Sequence, residues 1–358
     1  MLYWLATQYQ DSWGPLRLFT SHFFLGGIGF ALSCILTWRL LPLYSFKFCP
    51  RDRGRAHAVE AGKAQGKPTG TGIIFIPLFI LVQLILLPWS VEFLGLLALT
   101  LLASIFGFLD DRASVAWGEY LKGAIDLAIG VVAAFFISKG LPVDVWLPFT
   151  KVTLTLSPWQ YIPLATVWIW IAINATNCTD GVDGLSGTLS GIAFLCIGSL
   201  LYFVLGHVEM SAYLLVPHYK DGAIFGIMAL CLSGTLAGYL WHNAHPSTLL
   251  MGDAGSRALG FLLGILVLKS GNPFLTFVVG GVLLINGGTG LVKVALLRFA
   301  KISIFRNIRF PLHDHVRKNL GPKPGEFPNW STPQVLVRFA LIQLVITMSL
   351  TVLLLKLR

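Results

Sequence analysis

The chain has 358 residues, 55% of them hydrophobic and 12% charged, with a mean hydropathy of +0.75. Soluble domains of that length do not carry so much apolar residue, so the composition excludes one and points to a polytopic protein of the lipid bilayer. The net charge of +10 is spread over loops between apolar runs, without a basic helix or aromatic-interleaved patch. It reads as an orientation signal and an attraction for anionic partners, with no nucleic acid among them.

Residues 1–20 carry Asp11, Gly14, Pro15 and Arg17 and lack a short apolar core before a small-residue cleavage site. They read as an interfacial segment, not a cleavable signal. At about 20 residues per spanning helix, the apolar runs predict ten spans near 23–43, 72–89, 92–109, 122–138, 161–174, 185–206, 221–240, 256–270, 274–298 and 334–356. Pro163 interrupts the short fifth run, and Ser270-Gly-Asn-Pro273 reads as a tight turn. The alternation in Lys151-Val-Thr-Leu-Thr-Leu156 predicts a strand of a small outer-face β-hairpin. The expected fold is therefore an all-α polytopic membrane protein, a single domain over 1–358. The five cysteines are scattered without metal spacing and read as small buried residues.

Ten spans put both termini on one side. The loops 44–71, 110–122, 174–184, 241–257 and 298–333 then share one face and hold most of the 26 Lys and Arg, including Lys47, Arg51, Arg53, Arg55, Lys63 and Lys67. The positive-inside rule makes that face cytoplasmic. Three acidic clusters fall on it, which predicts one cytoplasmic active site built from these loops.

The richest cluster is Asn174-Ala-Thr-Asn177-Cys-Thr-Asp180-Gly-Val-Asp183-Gly184. Polar side chains at membrane depth are costly and mark function. Helical spacing puts Asp180 and Asp183 on one face and repeats that placement for Asn174 and Asn177; capping explains one carboxylate, not the set. Asp110-Asp111 ends an apolar run at a helix C-terminus, against the dipole, and needs a counter-charge such as a divalent cation. Met251-Gly252-Asp253-Ala-Gly-Ser256 precedes span eight, where free backbone N–H groups would cradle phosphate. His313-Asp314-His315 reads as extended, with both imidazoles on one side, facing an anion or a metal; no third zinc ligand is apparent. Lys122 is a candidate contact for anionic substrate, and Asp126, four residues on, reads as its local partner.

These motifs together resemble the polyprenyl-phosphate N-acetylhexosamine-1-phosphate transferase superfamily, and within it the phospho-N-acetylmuramoyl-pentapeptide transferase family. Asp110-Asp111, the run from Asn174 to Leu185, Met251 to Ser256, and His313 with His315 each match a motif of that superfamily, and the likeness extends through Trp330, Arg338 and the terminal Leu-Lys-Leu-Arg358. The resemblance implies Mg²⁺-dependent transfer of phospho-N-acetylmuramoyl-pentapeptide from UDP-MurNAc-pentapeptide to undecaprenyl phosphate in the bacterial inner membrane, giving lipid I and UMP. It implies Asp253, Asp110 and Asp111 as catalytic residues and metal ligands. Substrate contacts are implied for Thr69, Lys122, Asn174, Asn177, Asp180, Asp183, Gly252, Ser256, His313 and His315. A homodimer is compatible with it.

The chain departs from the family pattern in several places. Asp314 stands between two histidines where a third is usual, Leu250 where an aromatic is common, Asn286 for an expected Glu and Lys293 for an expected Gln. Another UDP-N-acetylhexosamine donor is therefore the alternative enzyme reading. A transporter is the reading from another class, and the gathering of carboxylates at one face, without inverted repeats, speaks against it.

Overall fold

The computed structural model describes residues 1–356 apart from 55–58, 60, 61, 63, 149, 151 and 319–328. Arg55, Lys63, Lys151, Leu357 and Arg358 lie outside the described residues. In chain order come α1 (Leu2–Tyr9), α2 (His22–Phe48), α3 (Gly72–Leu86), α4 (Val91–Arg112), α5 (Glu119–Ser138), β1 (Val143–Trp146) and β2 (Thr153–Leu156). Then follow α6 (Pro158–Thr179), α7 (Leu185–Ser199), α8 (Val208–Tyr213), α9 (Gly222–Asn243) and α10 (Gly252–Lys269). A short helix Leu275–Val279, a helical segment over Gly281–Ala300, a short helix Leu312–Lys318 and a last helix Thr332–Lys356 follow.

Among the described residues seven helices are long and apolar enough to cross a membrane, and Gly72–Leu86 is a shorter apolar one. The two remaining expected spans are α6 and α10. Every expected span thus has its helix, and the protein is an all-α, multi-pass membrane protein. Helices satisfy their own backbone groups, as lipid demands. Their starts carry the expected chemistry: Ser90 accepts from Phe93 N at 3.1 Å, and Ser157 with Gln160 forms a capping box ahead of Pro158.

Three of the boundaries that differ from the sequence reading bear on the site. Helix α6 runs unbroken through Pro163, because a proline in the first turns of a membrane helix removes one bond without ending the ladder. Asn174 and Asn177 consequently sit on a helix, not in a loop. Asp253 and Lys122 likewise belong to the first turns of α10 and α5. Hydropathy falls wherever polar residues begin, whereas the helices continue past that point.

Helix α10 is the centre of the bundle and is buried from Gly252 to Leu268. Small residues let its neighbours approach backbone to backbone. A Cβ on Gly107 of α4 would lie 2.6 Å from Ala254 N, and one on Gly260 would lie 2.5 Å from the Cα of Ile173 in α6. Helices α4 and α10 run antiparallel, tied at one end by Lys269 Nζ to Glu92 Oε1 at 2.6 Å. At that same end lies the hairpin, with Val143 opposite Leu156 and Trp146 opposite Thr153, as the alternation predicted. Trp146 is fully buried and docks the hairpin by donating Nε1–H to Ser270 O at 2.8 Å.

Gly107→Ala forces α4 away from α10 and is expected to cost about 1–3 kcal/mol, in the range of overpacking. Gly27→Ala, where a Cβ would meet nothing within 4 Å, is the control. Thermal midpoints in detergent should drop for the first and hold for the second.

Candidate active site

The end of the α4–α10 pair away from Glu92 carries the polar residues. Asp111 Oδ1 accepts the backbone N–H of Asp253, and Oδ2 that of Ala254, each at 3.0 Å. The N-terminus of α10 is thus capped by a carboxylate from the neighbouring helix. The phosphate cradle expected there is corrected: these two donors are already engaged, since the positive end of a buried helix draws the nearest anion. Gly70 and Gly252, at φ 74° and 65°, close over that carboxylate, and a Cβ on Gly70 would lie 3.0 Å from Asp111 Oδ2. Residues 68–72 run beside Leu250 and Met251: Leu250 N donates to Pro68 O at 2.8 Å and Gly72 N to Met251 O at 3.2 Å. Thr69 is buried in this strip, its N–H donating to Pro50 O at 2.9 Å.

Asp110 and Asp253 converge on one cation. Lys122 Nζ forms an ion pair with Asp110 Oδ2 and another with Asp253 Oδ2 at 3.1 Å. The second oxygen of each carboxylate is held separately, Asp110 Oδ1 by Trp117 N at 2.7 Å and Asp253 Oδ1 by Asn177 Nδ2 at 3.0 Å. Asn177 also donates to Ser256 Oγ at 2.9 Å, and Ser256 in turn donates to Gly252 O at 2.8 Å. Four helices (α4, α5, α6 and α10) therefore bring Asp110, Asp111, Lys122, Asn177, Asp253 and Ser256 to one place.

A second polar layer lies one helical turn deeper. Arg257 Nη2 donates to Asp126 Oδ1 at 2.6 Å, and Asn174 Nδ2 reaches Asp126 Oδ2 at 3.3 Å. Asp126 is therefore the partner of Arg257 and not of Lys122, a correction that spacing along one helix could not supply. Arg257 and Asp126 are almost fully buried.

Asp180 and Asp183 do not share a helical face, because α6 ends at Thr179 and both lie in the turn that follows. Asp180 remains within electrostatic reach of Asp111. Asp183 turns to the segment after α9. Its Oδ2 accepts Ser247 N at 3.1 Å and faces His245 Nδ1 at 3.0 Å, its Oδ1 accepts Ser247 Oγ–H at 2.8 Å, and Lys67 Nζ lies 4.0 Å away. Burial pushes this carboxyl up, but those bonds and the lysine outweigh it and hold Asp183 below its ordinary value of 3.8.

His313 is buried with its Nε2 edge over the Asp180–Asp183 turn, so close that a Cβ on Gly181 would lie 2.7 Å from Nε2. His315 faces elsewhere: its Nδ1 accepts Arg309 N at 3.4 Å, and burial lowers its pKa. The extended reading of 313–315 is corrected, because these residues lie on the helix Leu312–Lys318, where neighbouring side chains fan apart. Asp314 is buried between Arg309 Nε at 3.6 Å and Arg317 Nη1 at 3.8 Å, so its charge is compensated.

Among the described residues no three His, Cys, Asp or Glu are arranged as a metal cage. Mg²⁺ does not need one: one or two carboxylates, substrate phosphates and retained waters suffice. The convergence of Asp110 and Asp253 on a single cation fits that donor set.

The whole length of the chain has counterparts. A phospho-N-acetylmuramoyl-pentapeptide-transferase of Treponema pallidum is 48% identical over 348 residues, spanning 96% of this chain and 93% of that protein. The chain belongs to the phospho-N-acetylmuramoyl-pentapeptide transferase family. Proteins of the same name from Dinoroseobacter shibae and Sulfurimonas denitrificans are 30% and 29% identical, covering 97% and 96% of this chain and 98% and 96% of their own. The glycosyl transferase family 4 profile matches residues 93–271, the stretch from α4 to the turn after α10. That stretch holds Asp110, Asp111, Lys122, Asn177 and Asp253, so the transferase family match and the polar site coincide.

Sequence reasoning missed Asn243, His245, Ser247 and Arg257 as supports of this site. Asn243 Oδ1 accepts Gly184 N at 2.8 Å while its Nδ2 donates to Leu249 O at 2.7 Å, fixing one motif against the other. For the first three the available signal was His242, Asn243, His245 and Ser247 clustered at the end of an apolar helix; Arg257 gave one only as a lone charge inside an apolar run.

The depressed pKa of Asp183 carries a sign. Its stabilising effect is fully present above the unfolded-state value and is lost as pH falls through the lower folded-state one. The gap in thermal midpoint between the wild type and Asp183→Asn should therefore be constant from pH 7 to about 5 and close below about 4. A gap that widens on acidification would contradict this placement.

Proposed function

We propose that the chain transfers phospho-N-acetylmuramoyl-pentapeptide from UDP-MurNAc-pentapeptide to undecaprenyl phosphate, giving lipid I and UMP for peptidoglycan synthesis. The observation that carries the chemistry is the convergence of Asp110 and Asp253 on Lys122, pinned by Asn177. An oxygen of the lipid phosphate attacks the sugar-bearing phosphorus of the UDP carrier. The P–O bond to UMP breaks as the new diphosphate bond forms, so phosphorus changes partner without oxidation or reduction. A lipid phosphate is already a nucleophile, so the protein's task is to position two anions and offset their charge.

In this reading Asp253 and Asp110 hold Mg²⁺, which when bound offsets phosphate charge. Lys122 exchanges its carboxylate contacts for substrate phosphate. Asp111 positions Asp253 through the backbone of α10, a role its two hydrogen bonds support and its adjacency to Asp110 obscured. Thr69, Gly252, Ser256 and Asn174 contribute substrate contacts around Asp253; the turn with Asp180 and Asp183 takes the nucleotide, and His313 and His315 take the diphosphate or sugar side. The membrane is the bacterial inner membrane, with both termini outside and the site cytoplasmic. The whole chain acts as one domain. All these residues come from one chain, so a homodimer would leave each site complete.

Purified protein with Mg²⁺ and undecaprenyl phosphate, offered each UDP-sugar separately, should release UMP with UDP-MurNAc-pentapeptide. Asp253→Asn should reduce that rate more than tenfold, which is about 1.4 kcal/mol of barrier, with the thermal midpoint kept. Turnover only with another UDP-N-acetylhexosamine would replace the donor. Retained activity in Asp253→Asn would remove Asp253 as essential ligand.

A further inference from the structure

His313 is held by a residue that neither its motif nor its spacing marks. Asn286 lies in a π-helical turn over Leu284–Gly288, the kind of local widening that re-aims a side chain into a bundle. It is 1% exposed. Its Oδ1 accepts the backbone N–H of His313 at 2.9 Å. A backbone N–H can only donate, so this bond fixes which end of the amide is oxygen and which is nitrogen.

The orientation of the amide dictates the rest. Asn286 Nδ2 has two hydrogens and two neighbours, Thr179 Oγ1 at 3.1 Å and His313 Nδ1 at 3.1 Å. The Thr179 hydroxyl spends its own proton on Ala175 O at 2.9 Å, which leaves its oxygen to accept. The second amide hydrogen points at His313 Nδ1. If Nδ1 carried a proton, two donors would face each other in a buried pocket. Nδ1 is therefore the acceptor, and the proton of the neutral ring resides on Nε2. That edge lies over Gly181 in the turn between α6 and α7.

We propose that Asn286 is a positioning residue that locks His313 in its Nε2-protonated tautomer, so that the neutral imidazole presents a hydrogen-bond donor to a phosphate-bearing substrate. A carboxylate at position 286 would do the reverse. It would accept from Nδ1–H and leave a neutral ring with a bare, accepting Nε2, which repels a phosphate oxygen. The amide thus lets His313 serve an anion without being charged. The second half of this proposal rests on the transfer function above; the tautomer does not.

The test is the ring ¹⁵N spectrum of histidine-labelled protein in lipid nanodiscs at pH 7.5, with His313→Gln used to assign the signal. The wild type should show His313 with a protonated Nε2 and an unprotonated Nδ1, and Asn286→Asp should move the proton to Nδ1. A wild-type ring protonated on Nδ1, or the same pattern in both proteins, overturns the tautomer lock; the first of these outcomes is read from the wild type alone, even if the variant does not fold. In the transfer assay Asn286→Asp should raise the KM for the UDP donor at least tenfold with kcat less affected. The predicted ring change with an unaltered KM would overturn the phosphate contact. A wild type that turns over no donor would refute the transfer reading while the spectrum still judged the tautomer.

Discussion

The contact on which the site depends is the pair of hydrogen bonds from Asp111 to the N-terminus of α10. A helix that starts inside a bundle has backbone donors that water cannot reach, and each one left alone costs on the order of 1–3 kcal/mol. A carboxylate aimed along the helix axis answers two of them and also meets the positive end of the dipole. The price is two glycines at positive φ, Gly70 and Gly252, which let the chain close over that carboxylate. In return the backbone of Asp253, whose own N–H is one of the two donors, is fixed beside Asp110, and Lys122 and Asn177 hold its carboxylate there. Rigid placement of an acidic residue that has no covalent role is what an electrostatic mechanism requires.

Beneath it, the Arg257–Asp126 pair acts as a floor. A buried ion pair is a poor source of net stability, since desolvation consumes most of the attraction, but removing one member costs about 3–5 kcal/mol. Its value here is geometric. Arg257 also donates to Lys122 O at 3.2 Å, and Asn174 bridges Asp126 to Trp170 O at 2.9 Å. The floor therefore fixes the backbone that carries Lys122 and the helix face that carries Asn177, so these two partners of the Asp253 carboxylate are anchored through the same arginine.

Much of this was legible in the sequence, for a physical reason. Lipid allows only helices or closed barrels across it, so apolar runs of about 20 residues report helical spans, and the cost of polar residues at membrane depth singles out the three acidic clusters. The hairpin showed itself through alternation, and the Ser270–Pro273 turn through its residues. Helix ends were not legible at Asn177, Lys122 or Asp253, because hydropathy measures preference for lipid and these residues are helical while facing other helices. Nor were contacts between spans: Asp126 has a lysine four residues away and an arginine 131 residues away, and only the packing of α5 on α10 selects the arginine. Residues 313–315 look extended when two like side chains are assumed to meet one ligand, but the helix there separates them.

The departures from the family pattern are informative in the same terms. Asp314, between two histidines, would oppose an anionic substrate if it faced the site, yet Arg309 and Arg317 flank it and the local charge stays positive. Lys293 donates to Phe305 O at 2.9 Å and to Ile308 O at 2.8 Å, holding the segment that leads into the histidine helix. Asn286 grips the far end of that segment through the backbone of His313. Two residues that differ from the family's usual choice thus act on one loop: Lys293 through main-chain oxygens, and Asn286 through both the main-chain N–H and the ring of His313. The main-chain bonds fix where the loop lies, and the Asn286 amide fixes how the imidazole is presented at the Gly181 turn.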